Sequence, residues 1–320
     1  MRIAESHRRK FFGFTLTELL IAMAILSALV LLLASLMGGI SRAWVTGEQQ
    51  VETFQDGRAI IEIMSRELSQ ALISPKLQFV QNPLLPSGAN QRANSSCVFW
   101  QAGLFSTNAG NLCEVGYFLS EDAQHNFQLK RFFVPPTDAT NYQIFATAPS
   151  DTSAPWVTSF IGTSALNTVV SDGVVAFWVR CFDLNGDPIP WLSNTTTTNG
   201  DTTAIPLQFN SASHFQPAIR GQPASFRYTR PSSTASAHQL PSSIEITIVT
   251  IDSKTMERSR AAIPAMPSSV PSGFPDVSPV GYGPEDIPNA VTWFNQQLIA
   301  NKIKTSRTFS TTVVLKNLVP

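Results

Sequence analysis

The sequence predicts an α+β fold, in which one long N-terminal helix packs against an antiparallel β-sheet with long loops. Three observations lead to this prediction. Residues 14–37 form an apolar stretch of 24 residues with a single charge, at Glu18. Apolar residues at helical spacing continue towards residue 73. Residues 243–251 alternate apolar and polar side chains, as a half-buried strand does.

The apolar stretch is long enough to cross a membrane as a helix. About 20 apolar residues, at about 1.5 Å rise per residue, span the hydrocarbon core of a bilayer. A backbone in lipid must satisfy its own hydrogen bonds, which favours a helix. The preceding segment carries Arg2, Arg8, Arg9 and Lys10 against the single acid Glu5. Because positive charge stays in the cytoplasm, we expect a cytoplasmic N-terminus and an extracytoplasmic remainder.

The helical pattern continues beyond the apolar stretch. Apolar or small residues recur at steps of three and four along one face, at Phe54, Gly57, Ile61, Met64, Leu68 and Ala71. Pro75 disfavours a helical residue before it, so the pattern predicts a helix end near residue 73. Two helices separated at Gly38 and Gly39 are the alternative to one continuous helix.

The rest of the chain is predicted to form one β-rich domain. Candidate strands are residues 96–100, 115–119, 127–134, 169–182, 243–251 and 309–315, and residues 289–303 have helical spacing. Residues 193–239 are rich in Ser, Thr, Asn and Gln, and residues 264–288 are rich in Pro and Gly. We expect these two segments to be long surface loops.

Composition and motifs give no indication of an enzyme. The chain has 22 basic and 22 acidic residues, and this balance gives no reason to expect nucleic acid as a partner. No G-x-S-x-G, H-E-x-x-H or P-loop motif occurs, and the histidines beyond the leader lie among polar loop residues. We therefore predict no catalytic residue and no cofactor.

The three cysteines have different sequence surroundings. Cys97 and Cys113 flank a connection that contains Gly and Asn, and a disulfide could close this loop in an oxidising compartment. Two unpaired thiols are the alternative. Cys181 lies in an apolar run, which predicts a buried free thiol.

One segment has the beginning of a calcium-loop pattern. Asp183, Asn185 and Asp187 stand where such a loop places its first three oxygen ligands. The downstream glutamate of that loop is absent, because Asn194 holds its position. Asn185 followed by Gly186 is also a strong hairpin-turn signal. The sequence favours the turn, with calcium as a weak candidate, and predicts no other metal site.

Residues 10–18, Lys-Phe-Phe-Gly-Phe-Thr-Leu-Thr-Glu, resemble the processing site of type IV prepilins and pseudopilins. In that family a short basic leader ends in Gly, the next residue becomes a methylated N-terminus, and Glu stands at the fifth mature position. The resemblance implies cleavage by a prepilin peptidase between Gly13 and Phe14 and N-methylation of Phe14. It also implies that Glu18 pairs with the N-terminal amine of a neighbouring subunit in a filament.

Two other export signals explain this region less well. A secretory signal peptide has an apolar segment of about 7–15 residues and an A-x-A-like cleavage site, whereas this run is longer and no such site closes it. An ordinary signal anchor would leave Glu18 unexplained, because a carboxylate in lipid is costly and usually has a partner.

Features further along the chain resemble the J-type minor pseudopilins of type II secretion systems. Ser-Asp-Gly-Val at residues 171–174, the turn at Asn185, Trp191 and the Leu-Pro-Ser-Ser-Ile-Glu-Ile segment at 240–246 occur in that order. The chain is also similar to prepilin-type cassette proteins of Verrucomicrobia-like bacteria. Its loops at 193–239 and 264–288 are longer than in the J-type pattern.

These resemblances imply a pilin-like division of the chain. Its parts are a cytoplasmic leader at 1–13, a transmembrane and filament-core helix at 14–37, a domain-packed continuation at 38–73 and a periplasmic β-rich domain at 74–320. The implied function is that of a minor pseudopilin or minor pilin in the inner membrane and then in a pseudopilus or pilus. Its partners would be the prepilin peptidase and other minor subunits. A ligand-binding or enzymatic domain on an ordinary signal anchor is the alternative.

Overall fold

The computed structural model describes twelve segments of the chain. They are residues 15–72, 79–81, 85, 87–103, 112–138, 166–182, 185–189, 209–210, 215–216, 225–226, 241–267 and 284–316. The chain forms two compact units, Met1–Val51 and Glu52–Pro320.

Helix α1 (Leu16–Leu68) begins in the first unit and ends in the second. It passes through Gly38 and Gly39 as one helix, so the alternative of two helices is wrong. Most of its large apolar side chains between Leu16 and Met37 are more than half exposed. The helix ends before the predicted residue 73, because Ser69 and Gln70 form a turn and Ala71 enters a strand.

The strands of the described residues are antiparallel throughout. They are β1 (Ala71–Leu72), β2 (Val80–Gln81), β3 (Cys97–Gly103), β4 (Leu112–Glu121), β5 (Phe127–Val134), β6 (Asn167–Ser171), β7 (Val174–Phe182), β8 (Phe209–Asn210), β9 (Phe215–Gln216), β10 (Ser225–Phe226), β11 (Ser243–Thr250) and β12 (Arg307–Val314). The larger sheet has the order β6-β5-β4-β3-β2-β8, and β1 also pairs with β3. The smaller sheet has the order β12-β11-β7, and β9 pairs with β10.

Two short α-helices complete the described fold. Helix α2 (Ser253–Ser259) follows β11, and helix α3 (Ile287–Ala300) precedes β12. Asp252 caps α2 by accepting a hydrogen bond from the Thr255 backbone N–H at 2.9 Å, as N-cap carboxylates do. Residues at helical spacing, Phe294 and Leu298, bury one face of α3.

The main core lies where the second half of α1 meets one face of each sheet. Its members include Met64 and Leu68 of α1, Trp100 of β3, Phe177 of β7 and Ile246 of β11. A second cluster covers the opposite face of the larger sheet, and a third joins the opposite face of the smaller sheet to α2 and α3. The alternation of side chains along each strand separates these clusters. The result is the predicted α+β, pilin-like arrangement of a long N-terminal helix with antiparallel sheets.

Most predicted strands are present, with corrected bounds. The strand predicted at 169–182 is two strands, β6 and β7, which Asp172 and Gly173 separate. Within the predicted loop 193–239 the described residues form the short strands β8, β9 and β10. Of the predicted loop 264–288, residues 268–283 lie outside the described residues.

Candidate functional site at the start of the long helix

Helix α1 begins with reciprocal hydrogen bonds between Thr15 and Glu18. The backbone N–H and the hydroxyl of Thr15 both donate to Glu18 Oε2, each at 2.9 Å. The Glu18 backbone N–H donates to Thr15 Oγ1 at 3.3 Å. A Thr at the N-cap with Glu three residues later is a capping box, which supplies partners to N–H groups that the first helical turn leaves unsatisfied. Glu18 is therefore part of the helix start.

Glu18, the single charge of residues 14–37, thus has a hydrogen-bond partner within its own chain. Sequence reasoning missed Thr15, although Thr-Leu-Thr-Glu at residues 15–18 is a capping-box pattern. Among the described residues, hydrogen bonds reach Glu18 Oε2 and none reaches Oε1. One oxygen can thus cap the helix while the other meets a cation. Gly13 and Phe14 lie outside the described residues.

The helix next to the capping box has the properties of a membrane segment. It is long and apolar enough, by length and composition, to cross a membrane. Two polar side chains bond to the helix itself. Ser27 Oγ donates to the Met23 carbonyl at 2.7 Å, and Arg42 Nε, just beyond the apolar stretch, donates to the Gly38 carbonyl at 3.0 Å. Such internal bonds reduce the cost of polar groups in an apolar environment.

The second half of α1 buries one face against the sheets. The buried residues are Thr53, Gly57, Ile60, Met64 and Leu68. This face differs from the predicted one at two positions, because Phe54 is 53% exposed and Ile61 is only partly buried. The observed face is rotated towards Thr53 and Ile60. The helical spacing of the sequence therefore predicts the buried face of α1 to within one residue.

A polar contact fixes α1 to the larger sheet near the end of the helix. Arg131 of β5 donates from Nε to Glu67 Oε1 and Oε2, both at 3.0 Å, and Tyr117 of β4 donates its hydroxyl to Glu67 Oε2 at 2.5 Å. Burial and then the Glu67 hydrogen bond raise the pKa of Tyr117. Burial alone would lower the pKa of Arg131, but the bonds and charge of Glu67 outweigh it and raise that pKa. The contacts of Glu67 therefore favour the charged form of Arg131 and the neutral form of Tyr117.

A groove of about 720 Å³ opens beside the same half of α1. Its wall carries six carboxylates and one guanidinium, from Glu52, Asp56, Asp122, Asp172, Asp252, Glu257 and Arg260. Some of these groups have structural partners. The Asn126 side chain and backbone lower the pKa of Asp122, and Asp252 caps α2. Among the described residues, no group of three His, Cys, Asp or Glu side chains could hold a metal ion.

Of the two alternatives for Cys97 and Cys113, the disulfide is absent, and the register explains why. Both cysteines are buried and neither is in a disulfide. Cys97 lies opposite Phe118 and Cys113 lies opposite Ala102, so the two cysteines are separated along the strands. They also belong to clusters on opposite faces of the larger sheet. Cys181 is the predicted buried free thiol, and its Sγ donates to Gln81 Oε1 at 3.3 Å.

The segment with the calcium-loop pattern contains a turn. Gly186 has a φ of +83°, a conformation that suits glycine in a tight turn. Phe182 and Pro188 form an isolated bridge across this turn, and the Ile189 N–H donates to the Cys181 carbonyl at 2.8 Å. Asp183 lies outside the described residues. The turn interpretation is thus supported at Gly186, while the calcium candidate stays a prediction.

Comparison with known proteins identifies the N-terminal segment. Residues 8–34 match the model of the prokaryotic N-terminal methylation motif. This range contains Gly13, Phe14, Thr15 and Glu18, and it is consistent with the predicted prepilin-like processing site. No curated protein and no solved structure matches the chain.

Proposed function

We propose that this chain is a minor pseudopilin or minor pilin, a structural subunit of a type II secretion or type IV pilus-like machine. The observation that supports it most is the methylation motif at residues 8–34, which runs directly into α1. A motif of this kind indicates a pilin-like protein that is processed at its N-terminus. The pilin-like arrangement of α1 with antiparallel sheets agrees with this role.

The proposed processing would place a new amine next to the capping box. Cleavage after Gly13 makes Phe14 the first residue, immediately before the N-cap residue Thr15. In a filament, apolar helices would surround this end of the chain, and a cation there needs an anion. Glu18 Oε1, which has no hydrogen bond among the described residues, is suited to the methylated amine of a neighbouring subunit.

The proposed topology follows from charge and length. The basic leader stays in the cytoplasm, the first half of α1 lies in the inner membrane, and the β-rich domain lies in the periplasm. The partners would be a prepilin peptidase and other minor subunits, and the role would be structural. The order of motifs at residues 171–174 and 240–246 favours a J-type subunit.

Mass spectrometry of the N-terminus tests the processing step of the proposal. We expect the mature chain to begin at N-methylated Phe14. Gly13→Ala should strongly reduce cleavage, whereas Gly39→Ala, which places a methyl group in open space on α1, should leave cleavage unchanged. A mature chain that begins near Ser41 would instead indicate a signal peptide and contradict the proposal.

The minor role has its own test. In cells that produce filaments, quantitative mass spectrometry should find far fewer copies of this chain than of the major subunit. Deletion of its gene should reduce filament number or secretion. A chain present at the level of the major subunit would show that it builds the shaft and would refute a minor role.

A further inference from the structure

Strand β12 leaves one edge of the smaller sheet open. It pairs with β11 over eight consecutive residues, from Arg307 to Val314, without a break in register. In the part of the chain that the structure describes, β12 pairs with no other strand. Thr308, Ser310, Thr312 and Val314 are exposed. The outer edge of β12 is therefore accessible to another chain.

The register shows which backbone groups point outward. The Leu315 N–H donates to the Ser242 carbonyl at 2.9 Å. Leu315 and Ser242, which lie opposite each other, are therefore a hydrogen-bonded pair. Opposite residues in an antiparallel ladder alternate between bonded and non-bonded pairs. Thr308, Ser310, Thr312 and Val314 consequently direct their N–H and C=O groups away from β11. These residues form a row of donors and acceptors that a further strand could use.

This edge lacks the features that usually protect an edge strand. Proteins block such edges with prolines, charges, bulges or very short strands. Residues 308–315 contain no proline and no charge, and five of them are β-branched, namely Thr308, Thr311, Thr312, Val313 and Val314. Strong strand formers at an open edge favour pairing with another extended segment.

Basic residues lie at both ends of this open edge. Lys304 and Arg307 stand at its start and Lys316 at its end, and all three side chains are exposed. Among the described residues, none of the three is in an ion pair. The nearest acid within the sheet, Glu245 opposite Thr312, pairs with Arg180. The edge therefore presents positive charge on either side of the uncharged residues 308–315.

The positions of these charges argue against a second copy of this chain as the occupant. An antiparallel β12–β12 pair would bring Arg307 of each copy near Lys316 of the other. A parallel pair in register would place the two Arg307 side chains side by side. Like charges at opposed positions destabilise strand pairing, whereas opposite charges stabilise it. The charge pattern instead suits a segment with acidic ends.

We propose that β12 is a docking edge for an extended segment of a different protein, which adds to the smaller sheet as a further strand. The chemistry of this partner follows from the edge: β-branched or apolar residues in its centre and an acidic residue at each end. Main-chain hydrogen bonds to residues 308–314 would supply affinity, and the basic ends would select the partner and its register. This docking site goes beyond the proposed function and does not depend on N-terminal processing.

Synthetic peptides test the chemistry of the partner. The probe is a fluorescent peptide with an alternating Thr-Val core and Glu at both ends, titrated with the full chain in detergent micelles. We expect saturable binding, and binding about tenfold weaker or less for the same core with Lys at both ends. An acidic-ended peptide that is N-methylated on alternate residues, and so cannot pair through its backbone, should not bind. Equal binding of all three peptides would overturn the proposal.

Two variants of one residue test the edge itself. Thr312→Pro removes an outward N–H and leaves the bonds to β11 in place, as prolines on edge strands do. Thr312→Val keeps the N–H and removes only the hydroxyl. We expect the first variant to lose peptide binding by about tenfold or more and the second to retain it. If Thr312→Pro fails to fold, the N-methylated peptide with the unchanged protein still decides the question.

Light scattering distinguishes an edge that binds a different protein from an edge that pairs with a second copy of this chain. The full chain in micelles should have the same mass as its Thr312→Pro variant. A larger assembly that only the unchanged chain forms would show that β12 pairs with itself, which would refute the proposed partner. Processing at Gly13 is measured separately, so failure of the docking proposal and failure of the proposed function can be distinguished.

Discussion

The ring of Phe309 in β12 occupies the space in which any residue other than glycine at position 57 of α1 would place its Cβ. An ideal Cβ on Gly57 would lie 2.1 Å from Phe309 Cε2 and 2.5 Å from Cδ2. The neighbouring ring of Phe54 lies 5.7 Å from the Phe309 ring, between ring centres, at an interplanar angle of 52°. The absence of a side chain at Gly57 thus lets a strand of the smaller sheet approach the long helix closely.

We expect Gly57→Ala to destabilise the β-rich domain by about 1–3 kcal/mol, because overpacking at a tight contact exceeds the gain in helix propensity. Thermal unfolding of the full chain in micelles, followed by near-UV circular dichroism, measures this effect. Gly47→Ala on the same helix is the control, since its Cβ meets nothing within 4 Å and alanine favours the helix. A Gly57→Ala variant as stable as the unchanged chain would show that the Phe309 ring moves aside at no cost.

The contact between Gly57 and Phe309 shows what periodicity can and cannot predict. The 3-4 spacing around Met64 and Leu68 depends on local helix geometry, so the buried face of α1 was predicted to within one residue. The identity of the residue opposite Gly57 depends on a pairing across more than 250 positions of sequence. No local pattern encodes such a pairing, because strand order and register are set by the packing of the whole domain.

The same limit applies to the cysteines but not to the helix start. Cys97 and Cys113 flank a turn-like connection, which suggested a disulfide, but only the register of β3 and β4 reveals that they face opposite ways. The Thr15–Glu18 capping box is local and was readable from the sequence. The position of Glu18 beside the membrane segment points to a role for its charge, whereas its spacing from Thr15 points to the helix cap.

Glu114 of β4 should make the stability of the domain depend on pH. It is fully buried opposite Gln101 of β3, and neither of its carboxylate oxygens has a hydrogen-bond partner among the described residues. Burial, with a smaller contribution from the charge of Asp138, raises the pKa of Glu114 from 4.5 to about 9. The folded chain therefore keeps a proton that the unfolded chain releases above pH 4.5. Stability should fall as pH rises through this window, by at most about 1.4 kcal/mol per pH unit.

Glu114→Gln removes this titration while keeping the shape of the side chain. We expect the variant to match the unchanged chain near pH 4.5 and to exceed it increasingly towards pH 9, as measured by urea unfolding at several pH values. Glu62→Gln, on the exposed face of α1, is the control and should keep the pH profile of the unchanged chain. Parallel pH profiles for all three proteins would mean that Glu114 is ionised in the folded state.

The three cysteines should be reduced and protected from reagents in the folded protein. Cys97, Cys113 and Cys181 are buried, and burial raises the pKa of Cys113 to about 11. A thiolate is the reactive form, so we expect slow labelling by a thiol reagent near neutral pH and labelling of all three residues after denaturation. A reducing agent should leave the melting temperature unchanged. One labelled thiol after denaturation without reductant would instead indicate a disulfide and contradict the register of β3 and β4.

The capping role of Glu18 and its proposed role in assembly can be separated by three substitutions. Glu18→Gln keeps a capping box, because glutamine also accepts the Thr15 N–H, but it removes the charge. Thr15→Val removes the N-cap hydroxyl and keeps the charge, and the loss of such a cap costs about 1 kcal/mol of helix stability. Glu18→Ala removes both. We expect all three variants to be cleaved after Gly13, because none of them changes the residues on either side of the bond.

Assembly should depend on the charge of Glu18 rather than on its hydrogen bonds to Thr15. If Glu18 pairs with the N-terminal amine of a neighbouring subunit, Glu18→Gln should co-purify with partner subunits as poorly as Glu18→Ala, while Thr15→Val should retain most of its assembly. An amide is a much weaker partner for an ammonium group than a carboxylate, since charge-assisted hydrogen bonds are roughly twice as strong as neutral ones. The opposite order, with Glu18→Gln assembled and Thr15→Val not, would mean that Glu18 acts in the subunit only through the bonds that it makes to Thr15.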